Sequence, residues 1–282
     1  MPRVAYLGPE GSFCEEAALN HFNGEAELVS FPEVAAAISA VIHRLVDRAV
    51  VPIENSLEGS VSVTLDQLIH AERAPRIVAE VNLPIHHQLV ARPGVGLTEI
   101  ERIVSIPLAA AQCRRFLLEH LPQAQILPAL STSAAVSSLV HAGNIAAIGN
   151  RRAARLYGMD IVAEDIEDDE DNVTRFVILG HERVPATGHD RTSICCTPRE
   201  NVPGALLTIL RPFSERDINL SKVESRPTRR GMGRYFFLID LDGHEDDPAV
   251  STALTEVRRA TADLRVLGSY PAAPELGDVA TA

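Results

Sequence analysis

Two polar clusters in this chain stand where strands end or begin, and their residue types suit work on an organic acid. Val51-Pro52-Ile53-Glu54-Asn55-Ser56 closes an apolar run with three polar side chains. Open α/β sheets bind ligands outside the carboxyl ends of their strands, so this is a candidate ligand wall. Asn55 or Ser56 would serve equally well as a helix N-cap. Asn172-Val173-Thr174-Arg175-Phe176 opens a second apolar run. On a strand Thr174 and Phe176 point to one side and Arg175 to the other. A hydroxyl and a ring on one face can line an organic-acid pocket; strand propensity alone would also select a β-branched residue there.

Three weaker candidates share the logic. Gly8-Pro9-Glu10-Gly11-Ser12 separates a strand from a helix. Free N–H groups at such a helix start attract anions. A plain tight turn would look the same, and the run is neither a P-loop nor a dinucleotide fingerprint. Ser105-Ile106-Pro107, with Gln112 seven residues on, puts a polar group at another strand end. That segment and Ser131-Thr132-Ser133 can also be read as capped helix starts.

Other chemistries lack their residues. His86 and His87 are adjacent, so a strand would send them to opposite faces, and His43 and His70 have no partner at helical spacing. No metal is expected. There is no Gly-x-Ser-x-Gly elbow, and Cys14 and Cys113 have no local activating base, so a hydrolase has no support. Cys195 and Cys196 complete the cysteines, whose spacing fits no zinc or disulfide pattern; a reduced, cytoplasmic protein is expected. Lys+Arg is 26 and Asp+Glu is 38, giving a net charge of −12. Such a chain gains little from nucleic-acid phosphates. Lys222 is the single lysine, so nearly all positive charge is guanidinium, which suits bidentate carboxylate recognition. No apolar run is long enough to span a membrane, and no signal peptide is visible.

The elements that must position these groups alternate. Strands are predicted at Arg3–Leu7, Ala26–Phe31, Arg48–Ile53, Arg76–Asn82, Pro84–Ala91, Arg102–Ser105, Ala146–Gly149 and Val173–Leu179. Helices are predicted at Glu15–Phe22, through Val34, Ile38, Val41, Ile42 and Leu45, at Ala109–His120 and at Thr132–His141. This order favours a mostly parallel sheet. The acidic run Glu164–Asp171 is expected to be a solvated loop. A polar stretch over 182–190 reads as a linker. Beyond it come a strand (Thr192–Thr197), a helix (Ala205–Phe213), two strands (Asn219–Ser225 and Arg234–Leu241) turning at Gly231–Gly233, a helix (Pro248–Ala260) and a strand (Leu264–Leu267). That βαββαβ order is the ferredoxin-like plan. The tail over 272–282 is expected to fray.

Together these segments resemble the monofunctional bacterial prephenate dehydratases, from about Arg3 to Tyr270. The likeness rests on LGPEGSF at Leu7–Phe13, VPIENSLEGSV at Val51–Val61, AAQC at Ala110–Cys113 and NVTRF at Asn172–Phe176. The C-terminal part resembles an ACT domain, an amino-acid sensor, through PGALL at Pro203–Leu207 and ESRPT at Glu224–Thr228. Ile106 and Leu108 stand where the family usually has His and Gln, and Cys14 where it commonly has a small hydroxyl residue. No chorismate mutase-like domain precedes Arg3, so the monofunctional form is expected.

The resemblance implies an α/β fold: a two-lobed catalytic domain like a periplasmic binding protein over 3–181, and an ACT domain over 191–271. The lobes would be about 3–82 with 158–181, and 83–157. It implies a cofactor-free carbon–oxygen lyase that decarboxylates and dehydrates prephenate to phenylpyruvate. Thr174 would be the catalytic threonine. Glu54, Asn55, Ser105, Gln112 and Phe176 would line the pocket, with Gly11, Ser12, Ser56 and Arg175 as further substrate contacts. Phenylalanine would bind at Gly204, Ala205, Leu206 and Leu207 with Glu224, Ser225, Arg226 and Pro227, in a homodimer or homotetramer. Arogenate dehydratase is the near alternative, and a non-catalytic amino-acid sensor the distant one.

Overall fold

The computed structural model describes residues 1–71, 73–141, 143–228 and 235–274. The predicted turn at Gly231–Gly233 and the tail from 275 lie outside them.

The N-terminal sheet is built from β1 (Arg3–Leu7), α1 (Phe13–Phe22), β2 (Glu27–Phe31), α2 (Val34–Ile42), β3 (Arg48–Asn55), the two-residue β4 (Gly59–Ser60), α3 (Ser62–His70) and β5 (Arg76–Pro84). β1 lies between β2 and β3, parallel to both. Val4, Ala5 and Tyr6 are buried, as expected of a central strand covered on both faces. Glu54 and Asn55 at the end of β3 pair with β4.

A second sheet follows. Its elements are β6 (Gln88–Ala91), β7 (Arg102–Ser105), α4 (Pro107–Gln112), α5 (Arg114–His120), β8 (Gln125–Pro128), α6 (Thr132–Ser137), β9 (Ile145–Gly149), α7 (Arg151–Tyr157) and β10 (Asp160–Ala163). The strand order is β10-β6-β9-β7-β8. β6 pairs antiparallel with β9 and β10, while β7 runs parallel to β8 and β9. These strands form two sheets, and the second is mixed where a mostly parallel sheet was expected. Because β10 pairs with β6, this lobe extends at least to Ala163, past the expected 157. The chain then returns to the first sheet as β11 (Val173–Gly180), in the order β2-β1-β3-β11-β5.

Two expectations are corrected around Asp168. The predicted helix Ala109–His120 is broken at Cys113. The Gln112 carbonyl accepts the Asp168 N–H (2.6 Å), and the Asp168 carboxylate takes the Arg115 N–H (3.0 Å). These bonds take the Gln112 carbonyl and the Arg115 N–H out of the helical ladder. The acidic run is also not simply solvated: Glu167 is buried and accepts the His87 N–H at 2.8 Å.

The C-terminal elements are β12 (Asp190–Pro198), α8 (Ala205–Ser214), β13 (Leu220–Pro227), β14 (Tyr235–Asp242), α9 (Pro248–Ala260) and β15 (Thr261–Pro271). Their antiparallel sheet has the order β13-β14-β12-β15, and the βαββαβ plan is present. Ile194, Ile209, Phe213, Ile239, Leu254 and Val257 lie in the core between sheet and helices. The chain separates into two compact units: Met1–Leu65 with Val81–Phe176, and Asp66–Glu80 with the chain from Val177 onward. Asp66–Glu80 joins the later unit because the Arg265 guanidinium donates to the Ile69 and Ala71 carbonyls (3.0 and 3.1 Å) and Arg191 pairs with Glu80 at 2.7 Å. The N–H groups of Ala272 and Ala273 are bonded to the His189 carbonyl and Glu80, so the expected fraying does not begin there. Among the described residues, no helix is long and apolar enough to cross a membrane.

Candidate active site

A cavity of about 290 Å³ opens within the first unit. Phe13, Pro52, Ile85, Ile106 and Leu108 supply apolar wall, and Asn55, Gln112, Thr132, Asn172, Thr174 and His87 supply polar groups. This suits a small ring carrying polar substituents. Among the described lining residues there is no Lys or Arg, and Glu58 is the only carboxylate. The cavity can hold anionic groups through neutral donors rather than cations.

Its polar groups form one directed chain. Asn55 Oδ1 accepts the backbone N–H groups of Leu57 and Glu58, both at 3.0 Å. Backbone N–H can only donate, so the amide orientation is fixed and Nδ2 must face the other way. Nδ2 donates to Asn172 Oδ1 (2.7 Å), Val173 O (3.2 Å) and Thr174 Oγ1 (3.0 Å). Asn172 Nδ2 then donates to Gln112 Oε1 at 3.4 Å, and His87 Nε2 lies 3.0 Å from the same oxygen. Thr174 Oγ1 thus receives a hydrogen bond, which leaves its own proton free to donate into the cavity. A donor held on that oxygen also stabilises charge developing there. Burial pushes the His87 pKa down, partly opposed by Gln112 and Glu167, so the ring is neutral at neutral pH.

The expected site residues divide. Thr174, Asn55 and Gln112 are brought together on the cavity wall. Glu54, Ser56, Ser105, Gly11, Ser12, Arg175 and Phe176 are not among its lining residues. Ser56 is instead a latch: its hydroxyl donates to Asp171 O and accepts the Val173 N–H, both at 2.9 Å. Ser105 is buried, with Oγ bonded to Ile106 O. Arg175 Nη1 lies 3.6 Å from Glu54, on the strand side away from Thr174. Phe176 is packed in the core.

The Gly11–Ser12 turn already holds its anion. Gly11 N–H donates to Glu15 Oε2 at 2.6 Å, and Arg152 Nε donates to the same oxygen at 2.7 Å. Ser12 Oγ caps α1 through the Glu15 N–H and donates to Leu7 O. Burial raises the Glu15 pKa, but Arg152 and the Gly11 N–H outweigh it and hold the carboxyl below its ordinary value.

The second unit holds a larger cavity of about 690 Å³. Gly204, Ala205, Leu206 and Leu207 line it, facing Tyr235 and Phe237 of β14, with Thr197 and Asn201 as polar neighbours. Gly204 sits at φ +85°, the left-handed region, at the start of α8. Glu224, Ser225, Arg226 and Pro227 are not lining residues. Ser225 pairs with Phe237 and shares its sheet face, one strand beyond the wall. Glu224 and Arg226 point to the other face, where Arg226 lies 3.6 Å from Asp66.

The family model described as Prephenate dehydratase matches residues 4–184. The chain belongs to the prephenate dehydratase family. The ACT domain model matches residues 199–259, so this member carries a C-terminal ACT domain. A prephenate dehydratase from Mycolicibacterium vanbaalenii is 39% identical over 98% of this chain and 93% of its own. The crystal structure of prephenate dehydratase from Arthrobacter aurescens in complex with L-Phe is 41% identical, with a TM-score of 0.88 over 95% of this chain and 90% of that one. GqqA, a quorum-quenching acylase, shares the architecture at 28% identity and a TM-score of 0.86, over 96% and 98% of the two chains.

Within this family site, sequence reasoning gave no site role to His87, nor to Asn172 and Thr132, although these two lie in polar segments it singled out. His87 was weighed only as a metal ligand on an assumed strand, yet residues 85–87 are not in one. Ile106 and Leu108 line the cavity, so the positions where the family usually has polar side chains form apolar wall here.

Proposed function

We propose that the first unit's cavity converts prephenate to phenylpyruvate, and that Thr174 is the proton donor. The ring carboxylate leaves as carbon dioxide, and its bonding pair enters the ring. The ring hydroxyl departs as water, taking the Thr174 proton, and solvent restores that proton. Aromatisation supplies the driving force, so the protein needs to align the substrate, exclude water and deliver one proton. A positioned donor of this kind is worth roughly 10²–10⁴-fold. Asn55 Nδ2 stabilises the charge that develops on Thr174 Oγ1, and the Gln112 amide and Thr132 hydroxyl bind substrate oxygens.

The observation carrying this reading is the Asn55 Nδ2–Thr174 Oγ1 hydrogen bond of 3.0 Å on the wall of a mostly apolar cavity. An acylase would need a nucleophile with an activating base. Thr174 Oγ1 here has an amide donor, and the neutral His87 Nε2 faces Gln112. In this reading the protein is a carbon–oxygen hydro-lyase, with 3–181 as dehydratase domain, 182–190 as linker and 191–271 as sensor. L-phenylalanine occupies the 690 Å³ cavity as the regulatory ligand. The test is ultraviolet detection of aromatic product from prephenate and from arogenate, with and without phenylalanine. A higher kcat/KM for prephenate and a phenylalanine-dependent rate are expected. A preference for arogenate, or no product from either, would overturn the assignment.

A further inference from the structure

We propose that His87 is a positioning residue of the dehydratase site, locking the Gln112 amide with its NH2 group toward the substrate. The inference rests on the reading of this cavity as the prephenate site. The donor direction follows from the chain of bonds begun by the Leu57 and Glu58 N–H groups. They fix Asn55 Oδ1 as an acceptor, so Asn55 donates to Asn172 and Asn172 donates to Gln112 Oε1. The only group left for His87 Nε2 to offer that oxygen is an N–H, at 3.0 Å. Gln112 Oε1 is therefore held by two donors, and rotation of the amide would set its NH2 against both of them.

The rest of the ring agrees. His87 is 2% exposed, and its Nδ1 is buried with no hydrogen-bond partner. A buried N–H without a partner is costly, whereas a bare ring lone pair is tolerated more easily. The Nε2–H tautomer puts the bare nitrogen where no partner exists. The ring is seated edge-on to Phe13 at 6.0 Å, and the His87 backbone is tied on both sides: its N–H to Glu167 (2.8 Å) and its carbonyl to the Ile166 N–H (2.8 Å). The donor cannot readily swing away. Among the described residues, the Gln112 NH2 has no protein partner, and Gln112 lines the cavity. That NH2 is a preorganised donor for a substrate oxygen.

A double-mutant cycle separates this role from simple packing. His87→Phe keeps the ring's bulk and removes the donor; His87→Gln keeps a donor at similar reach. Phenylpyruvate formation is measured for wild type, His87→Phe, His87→Gln, Gln112→Ala and the double variant His87→Phe/Gln112→Ala. One hydrogen bond lost at the site predicts about a tenfold lower kcat/KM for His87→Phe. His87→Gln should regain most of it, and the double variant should match Gln112→Ala within about twofold, on the additivity scatter. A full additional loss in the double variant, or His87→Phe as active as wild type, would overturn the proposal. If His87→Phe does not fold, ¹⁵N NMR of the wild-type imidazole decides: a proton on Nε2 supports the role, and one on Nδ1 refutes it. A wild type that makes no phenylpyruvate would instead defeat the reading of the site, and the proposal with it. Wild-type activity with an additive cycle defeats this inference alone.

Discussion

Replacing Asn55 with Asp removes its amide donor while leaving the turn around it intact. The side-chain oxygen that receives Leu57 and Glu58 N–H, both at 3.0 Å, is retained in Asn55→Asp. What disappears is the NH2 group that donates to Thr174 Oγ1 (3.0 Å), Asn172 Oδ1 (2.7 Å) and Val173 O (3.2 Å). In its place stands an acceptor that draws the Thr174 proton toward itself and away from the substrate. Removing one donor from an oxygen that gains charge in the transition state costs about 2.7–4 kcal/mol, or roughly 10²–10³ in kcat. The same donor orients Asn172, which in turn holds the Gln112 amide, so KM should rise while kcat falls. The assay is steady-state phenylpyruvate formation by ultraviolet absorbance, with a thermal melt to show that the variant is folded. A folded variant with wild-type kcat, or with unchanged kcat and a much higher KM, would refute the reasoning.

Three further outcomes are expected. Gly204→Val should weaken the phenylalanine response at least about fivefold, the low end of typical coupling; φ +85° at the cavity wall is strained for a β-branched residue, and an unchanged phenylalanine midpoint would count against it. Glu15→Gln should destabilise the fold most at neutral pH. The native Glu15 pKa lies below its unfolded value, so its stabilisation exists above the ordinary carboxylate range, near pH 4, and is lost as pH falls; a stability difference independent of pH would contradict this. Light scattering at micromolar concentration should give a homodimer or homotetramer, since the end strand β13 leaves a sheet edge that pairing would remove; a monomer mass would refute it.

What was legible in the sequence depended on the range of the interaction. The C-terminal βαββαβ order could be read because each element carries its own periodicity and punctuation. Thr174, Asn55 and Gln112 could be named because motifs carried them, although the Asn55–Thr174 bond spans 119 positions and Gln112 is reached through Asn172, 60 positions on. His87 could not: its value lies in one contact to Gln112, 25 residues on, and in a burial that no local pattern encodes. The break at Cys113 was hidden for the same reason, since Asp168 makes it from outside a continuous run of helix formers. One miss was avoidable. Ser12 with Glu15 three positions on has the spacing of a capping box, which already supplies the turn with its own carboxylate. In the ACT domain, strand alternation alone separates Ser225 from Glu224 and Arg226, so those adjacent motif residues could not share one pocket face.

The Thr174 hydroxyl as proton donor is tested by kcat for prephenate in Thr174→Ala and Thr174→Ser beside wild type. Losing the proton donor should lower kcat by at least roughly a hundredfold in Thr174→Ala. Thr174→Ser keeps the oxygen that Asn55 contacts and should retain far more activity. A folded Thr174→Ala variant that turns over prephenate at the wild-type rate would contradict Thr174 as the proton donor.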